Sequence, residues 1–385
     1  MMAGKRHLLA PGPTPVPEAA RLVMARELIH HRGPEFKVIF EEVRARLQWI
    51  FETESDVLSL TCSGTGAFEA AMINFTRRDS TIVSIGGGKF GERWAEVARA
   101  YGMKVVEVPV TWGESVTPDA LAAVLESTPE VAMVTVSASE TSTGAWHPIE
   151  ALAQVVRDHS EALFAVDGIT AVGVQPIPMD AWGIDVLVSG SQKAFGVPPG
   201  LAFVAASERA WERYAQSDHP RYYFDLGRER DAQRRQQTAF TPAISVILAL
   251  NEALKLMEEE GREALYARHE RNARAARAGV EALGLQLFAR SPANSVTAAL
   301  VPESVSGKAV VRAMRESYGV TIAGGQGDYA DRLVRIGHIG FFDGSDMLIA
   351  MSALERALAD QGLDIPFGSG VAAVQGVLGA AGRVG

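Results

Sequence analysis

Lys193 ends the segment Ser189-Gly190-Ser191-Gln192-Lys193, directly after the apolar run Ile184-Asp185-Val186-Leu187-Val188. A small polar turn at the end of a buried strand holds an amine where a carbonyl can reach it, and a lysine so placed can form a Schiff base. A lysine alone is more often a solvated charge, so its meaning depends on its partners. Asp167 closes the run Leu163-Phe164-Ala165-Val166. A carboxylate at the C-terminal end of a parallel strand stands where open α/β sheets bind ligands. If buried, it needs a cation or hydrogen-bond donors. A protonated pyridine nitrogen would be such a cation; the structural alternative is an Asp that caps the turn Gly168-Ile169-Thr170. One helix-sized connection and one strand separate Asp167 from Lys193, so two neighbouring strands can deliver both to one crevice.

Three further features carry chemistry. Ser63-Gly64-Thr65-Gly66-Ala67 precedes the helical run Phe68-Glu69-Ala70-Ala71-Met72. A Gly-rich turn opening a helix presents free N–H groups and a positive dipole end to an anion; the alternative is an ordinary N-cap and tight turn. The segment lacks both the Gly-Lys-Ser/Thr of a P-loop and the Gly-x-Gly-x-x-Gly of a dinucleotide site. Arg335 lies inside Leu333-Val334-Arg335-Ile336-Gly337, where its fork suits either a substrate carboxylate or a structural ion pair. Phe90, in Gly88-Lys89-Phe90-Gly91, follows a strand and is placed either to cover a flat ring or to pack in the core.

The elements that must position these residues alternate. Short β-rich runs occur at Thr81–Ile85, Val105–Val108, Val131–Val136, Leu163–Val166, Val186–Val188 and Ala202–Ala205, with helical stretches at Glu92–Tyr101, Pro118–Glu126 and Ile149–His159. This pattern predicts a mostly parallel sheet covered on both faces. Tyr214 to Gln237 has little periodicity and reads as a surface excursion, a loop or else a subunit contact. A long helical run from Ala243 to about Ala282 breaks near Gly261. Strands around Ser295–Leu300 and Leu333–Ile336, with helices Gly307–Tyr318 and Ser345–Asp360, then predict a smaller α+β unit. The expected organisation is an extended arm (1–17), a large domain (18–255) and a small C-terminal domain (256–385).

The chain has 385 residues, long enough that two domains are the expectation. A net charge of −9, with no Lys/Arg block, argues against a nucleic-acid-binding surface. The single cysteine, Cys62, leaves no intrachain disulfide and no cysteine-based metal cluster. No segment approaches the roughly twenty apolar residues of a membrane span, so a cytoplasmic protein is expected.

Taken together, these residues resemble the class V aminotransferases of the fold-type I pyridoxal phosphate enzymes, and within them the alanine–glyoxylate / serine–pyruvate branch. The resemblance covers nearly the whole chain. It rests on Pro11-Gly12-Pro13-Thr14, His30-His31-Arg32-Gly33-Pro34-Glu35-Phe36, Ser63-Gly64-Thr65-Gly66, Glu140-Thr141-Ser142-Thr143-Gly144, Val166-Asp167, Ser189-Gly190-Ser191-Gln192-Lys193 with Pro198-Pro199-Gly200, and Arg335-Ile336-Gly337. It implies a large, mostly parallel seven-stranded sheet domain and a small α+β domain. It implies pyridoxal 5'-phosphate on Lys193, with Asp167 facing the pyridine nitrogen. Ser63, Gly64, Thr65 and Gln192 would bind the phosphate, Phe90 would stack on the ring, and Thr141 would bond the ring hydroxyl region. Arg335 would take the substrate α-carboxylate. Thr241 would reach the phosphate in the neighbouring subunit of a homodimer, and Thr238 stands where some relatives carry Tyr. The implied reaction is transfer of an amino group from alanine or serine to glyoxylate or pyruvate. Other readings within reach are a transaminase of an aminophosphonate or ureidoglycine, a cysteine desulfurase, and a non-catalytic hydrogenase-associated subunit.

Overall fold

The computed structural model describes residues 5–380. Residues 1–4 of the expected arm and 381–385 of the expected C-terminal domain lie outside the described residues. Seven strands form the main sheet in the order Val57–Leu60, Ala202–Ala206, Val186–Gly190, Leu163–Asp167, Val131–Ser137, Thr81–Ile85, Lys104–Val108. All run parallel except Ala202–Ala206, which is antiparallel to both neighbours. The short apolar runs form strands for a local reason. Their β-branched and aromatic residues alternate between two apolar layers. Phe164, Val166 and Leu187 face one layer with Phe40 and Leu47; Leu163, Ala165, Val186 and Val188 face the other with Phe68 and Trp94. Such two-sided burial suits parallel strands joined by helices.

The crossover between Leu163–Asp167 and Val186–Gly190 is lighter than expected. It contains one short helix, Met179–Trp182, rather than a full-length one. The two strands are nevertheless adjacent, with Asp167 in register with Val188.

Residues 214–237 depart from the loop expectation. They contain the helix Leu226–Gln233, capped by the Asp225 carboxylate, which accepts from Gly227 N and Arg228 N. Its buried side includes Leu226, Glu229, Ala232 and Gln233. Only eight residues long and half of them charged, this helix has too few apolar positions to show a period. Gln233 explains its place. The amide oxygen accepts from Ser59 N at 3.2 Å and the amide nitrogen donates to Ser59 O at 2.9 Å. One side chain thus satisfies the open edge of the sheet at Val57–Leu60 as a further strand would.

The C-terminal part carries a four-stranded antiparallel sheet in the order Gln286–Leu287, Val296–Leu300, Leu333–Gly337, Ala323–Gly324. Helices Arg262–Ala282, Gly307–Glu316, Gly344–Ala359 and Ser369–Ala380 contribute to its apolar cluster, and Leu9 from the arm joins it. His7–Leu8 pairs in parallel with Val320–Thr321. Met257 and Leu265 belong to the large cluster and Ala275 to the small one. We propose the three-part division 1–17, 18–255 and 256–385 as the domain organisation, with the helix pair Ile244–Glu260 and Arg262–Ala282 as the connection.

Replacing Gln233 by Ala strands two buried backbone groups of Ser59, so the variant should lose about 1–3 kcal/mol of stability. Urea unfolding of the two proteins measures the difference, and an unchanged midpoint would remove Gln233 from the edge-sealing role.

Candidate active site

The strands Val131–Ser137, Leu163–Asp167 and Val186–Gly190 all end on one side of the sheet, because parallel strands share a carboxyl edge. Asp167 is the last residue of its strand and is 4% exposed. Its carboxylate accepts from Ser137 Oγ at 3.0 Å and from Ile169 N at 2.8 Å. It therefore does cap the following turn. Burial nevertheless pushes its carboxyl up to about 7; those two donors and the Lys193 charge oppose the rise, and Glu140 adds to it. No cationic side chain is bonded to it among the described residues.

Lys193 follows the next strand. Burial lowers its amine to about 8, with Asp167 opposing and Arg335 assisting. Asp167 and Arg335 are thus both close enough to act on Lys193. Nζ donates to Pro11 O at 2.7 Å. Gly12 has a φ of +120°, and a Cβ there would collide with the lysine side chain, so only glycine lets the arm pass this close. Thr14 Oγ1 donates to Lys193 O at 2.9 Å. The arm was expected to be extended. Its bonds to Lys193, and that of Leu9 O with Gly337 N at 2.7 Å, are additional.

The turn at Ser63 opens the helix Gly64–Phe75. Ser63 is extended, and its side chain makes no cap bond. Its carbonyl takes Gly66 N and Ala67 N, while Gly64 N and Thr65 N donate to nothing among the described residues. Free N–H groups at a helix start suit an anion. Gly64 packs against Ile169, two residues after Asp167, where a Cβ would collide; this brings the turn to the Asp167 strand. Thr65 Oγ1 accepts from Arg93 Nη1 at 3.3 Å. The Arg93 guanidinium lies 4.9 Å from the Phe90 ring centroid. Gln192 is partly buried, and its amide oxygen has no partner among the described residues.

Glu140 is the residue whose role the sequence did not disclose. Fully buried, it accepts from Phe90 N at 3.0 Å, Gly91 N at 2.9 Å, Ser142 N at 3.0 Å and Ser142 Oγ at 2.6 Å. It caps the helix Lys89–Ala100, whose own N-cap residue is Gly88, from a distant strand. Burial raises its carboxyl against those four donors. The only signal in the sequence is an acid in a run of small hydroxyl residues, which says nothing of Phe90.

Thr141 is next in the chain. Its hydroxyl shares a hydrogen bond with the Thr170 hydroxyl at 2.9 Å. Its carbonyl accepts from Arg335 Nη1 at 2.8 Å, and Gly324 O accepts from Arg335 Nε at 2.8 Å. Arg335 is 6% exposed, and burial lowers its guanidinium to about 10, opposed by Glu140. Among the described residues no carboxylate forms an ion pair with it, which leaves the fork without an anion. Ser63, Gly64, Thr65, Phe90, Thr141, Asp167, Gln192, Lys193 and Arg335 therefore share one region. Thr241 does not join them within the chain. It is exposed and lines a small cavity with Thr61 and Tyr223. Thr238 is buried, its hydroxyl donating to Phe240 O at 2.6 Å.

This arrangement has a measurable consequence. The Lys193 amine becomes increasingly available as pH rises through about 8, so borohydride-trapped labelling by a small aldehyde should rise over that range. Asp167→Asn should move the midpoint down in pH and Arg335→Met should move it up. Mass spectrometry of the Lys193 peptide reads both, and shifts in the same direction would contradict the geometry.

Residues 21–329 match the family described as Aminotransferase class-V. Over 377 residues the chain is 42% identical to a protein of Anabaena cylindrica named soluble hydrogenase 42 kDa subunit, spanning 97% of this chain and 98% of that one. It is 33% identical to the L-aspartate–glyoxylate aminotransferase of Paracoccus denitrificans, over 97% of this chain and 96% of the other. The ureidoglycine–glyoxylate aminotransferase of Bacillus subtilis superposes with a TM-score of 0.93 at 27% identity, covering 98% of this chain and 99% of that one. With the family match spanning most of the chain and these likenesses running nearly end to end, the protein belongs to the class V aminotransferase family.

Proposed function

We propose that the chain is a pyridoxal phosphate-dependent aminotransferase that moves an amino group from a small amino acid, alanine or serine, to a small 2-oxo acid, glyoxylate or pyruvate, by a ping-pong mechanism. The observation that carries this reading is the convergence of three ionisable groups, Asp167 and Arg335 buried and Lys193 partly so, none of them in an ion pair among the described residues; burial draws the amine down to about 8 and the carboxyl up to about 7. The residues fit the cofactor. Asp167 offers a carboxylate to a protonated ring nitrogen. Gly64 N and Thr65 N offer free donors to a phosphate. The Gln192 amide has one buried end unpaired, which a phosphate oxygen satisfies once that end is assigned as the NH2 group.

When bound, pyridoxal phosphate supplies an aldehyde for the amine and an electron sink for the charge that develops at the substrate Cα. The chain's own residues do the rest. Lys193 would hold the group through its amine, and that amine, when free, would move the proton at the substrate Cα as general base and then acid. Asp167 keeps a proton on the ring nitrogen through its charge. Phe90 would cover one ring face. Thr141, already bonded to Thr170, would meet the ring hydroxyl region. Arg335 orients the substrate α-carboxylate through the fork edge not used on Thr141 and Gly324. Thr241 would reach the phosphate of a partner subunit in a homodimer, which agrees with its exposure and its absence from the intrachain cluster. A cytoplasmic location completes the reading.

Two of the compared enzymes carry glyoxylate in their names, which supports glyoxylate as acceptor. The donor is the more open half. The Bacillus subtilis likeness favours ureidoglycine as the second reading, because the superposition runs over nearly all of both chains. A desulfurase is disfavoured by Cys62: burial, with Glu69 assisting, pushes its thiol up to about 12, far from the thiolate that sulfur transfer needs. The hydrogenase name of one relative finds little support here, since one cysteine cannot hold an iron–sulfur cluster that takes several thiolates.

Purified protein mixed with pyridoxal phosphate should develop the visible band of the lysine-bound group, and an amino donor should bleach it. Lys193→Ala should lose the band and slow transfer by about 10²- to 10⁴-fold; a variant that still transaminates normally would sink the assignment. Arg335→Gln should raise KM for every α-amino donor by about 10- to 100-fold, the worth of a bidentate charged pair. A panel of donors and acceptors, followed by the same band, separates alanine and serine from ureidoglycine.

A further inference from the structure

Arg93 stands out among the arginines of the large sheet domain. Many of the others carry a carboxylate: Arg44, Arg230 and Arg234 all reach Asp56, and Arg209 reaches Asp185. Arg93 is half-buried, and no carboxylate lies within ion-pair distance of it among the described residues. Glu96, on the same helix, is exposed and forms no ion pair with it, and three other nearby acids are engaged elsewhere. Glu92 takes Lys89 and the Trp112 indole, Glu69 takes the Tyr101 hydroxyl, and Glu140 takes backbone N–H groups.

Its position is electrostatically adverse. Arg93 lies near the start of Lys89–Ala100, and its guanidinium reaches Thr65 in the first turn of Gly64–Phe75. Both helix starts are positive ends, where a cation is disfavoured and an anion favoured. A guanidinium held there without a carboxylate is relieved only when an anion arrives. Two contacts fix it. Its central carbon Cζ lies over the Phe90 ring, three residues earlier on the same helix face. Its Nη1 donates to Thr65 Oγ1. A threonine hydroxyl has a single proton. With Oγ1 accepting from Arg93, that proton must point elsewhere, and nothing among the described residues accepts it.

We propose that Arg93 is a positioning residue for the phosphate group. By donating to Thr65 Oγ1 it turns the threonine proton outward as a donor to phosphate. By holding its charge over Phe90 it couples that donor to the residue covering the ring. Charge on the first donor strengthens the second bond in such a chain. The inference rests on the phosphate-binding reading of Ser63–Thr65 and adds to it a cation that the sequence did not single out.

The test compares two ligands that differ only in the phosphate. Apoprotein is titrated with pyridoxal phosphate and, separately, with pyridoxal, following quenching of tryptophan fluorescence. Arg93→Ala should weaken pyridoxal phosphate by about tenfold or more and pyridoxal by no more than about threefold. Thr65→Val should show the same bias, and the double variant should lose little beyond the larger single loss, because the two residues act in series. Arg93→Lys, which keeps the charge without the planar fork, should fall between wild type and Arg93→Ala. Equal losses for both ligands, no loss, or additive losses in the double variant would overturn the proposal. So would an effect confined to KM for a dicarboxylic donor, which would make Arg93 a substrate contact. Thermal unfolding of each apoprotein reports its fold; a lower melting point accompanied by equal ligand losses makes Arg93 structural and also overturns it. Wild-type protein that takes up no pyridoxal phosphate overturns the site reading and this inference together. Normal wild-type uptake with an indifferent Arg93→Ala overturns this inference alone.

Discussion

Glu140 is a carboxylate without exposed surface that accepts four hydrogen bonds. An ionised carboxyl taken out of water is costly unless its acceptor positions are filled, so its surroundings have little freedom. Phe90 N and Gly91 N must come to it, which fixes where the helix Lys89–Ala100 begins and hence the root of the Phe90 ring. Ser142 must fold back on it, which leaves Thr141 between them with its carbonyl toward Arg335 and its hydroxyl toward Thr170. Ring cover, carboxylate fork and the turn after Asp167 are thus tied to one buried acid.

Around this acid the site is built from unfinished charges. Among the described residues, Asp167 has two donors and no bonded cation, and Arg335 spends two N–H groups on carbonyls and none on an acid. Lys193 rests on the carbonyl of Pro11. Burial penalises the charged form of each, bringing the amine to about 8 and the carboxyl to about 7, both near the range where proton transfer is easiest to reverse. A ligand carrying a positive ring nitrogen, a phosphate and an α-carboxylate completes all of these at once. The disposition of charge agrees with a preorganised site.

The arm joins the two halves of the molecule at the same place. Leu9 is buried in the C-terminal apolar cluster, and its carbonyl accepts from Gly337 N at the end of the Arg335 strand. A few residues on, Pro11 O and Thr14 Oγ1 hold Lys193. One short extended segment thereby couples the amine, carried by the large sheet, to the guanidinium, carried by the small one. Proline-rich backbone suits this task, since it forms no regular ladder and leaves carbonyls free to accept.

Much of this was legible in the linear chain. The runs ending at Asp167 and Val188 disclosed buried parallel strands through their β-branched, unbroken apolar character, and the strand carrying Arg335 disclosed the small sheet in the same way. Lys193, Asp167, Arg335 and the Ser63–Gly66 turn were visible because their residue types are unusual at strand ends and helix starts, a local property. The helix Leu226–Gln233 was not legible, because its burial comes from Gln233 meeting the sheet edge at Ser59 rather than from an apolar period. Glu140 was not legible as a partner of Phe90, nor Arg93 as a partner of Thr65. Glu140 meets Phe90 across some fifty residues of sequence, and Arg93 sits on an ordinary helix face whose adverse field arises only when two helix starts converge. Sequence alone determined which groups can do chemistry, since side-chain type and local period are written residue by residue. The tertiary structure alone decided which groups are desolvated together and which donors remain unpaired, because burial and electrostatic coupling depend on distances between segments that the chain brings together only on folding.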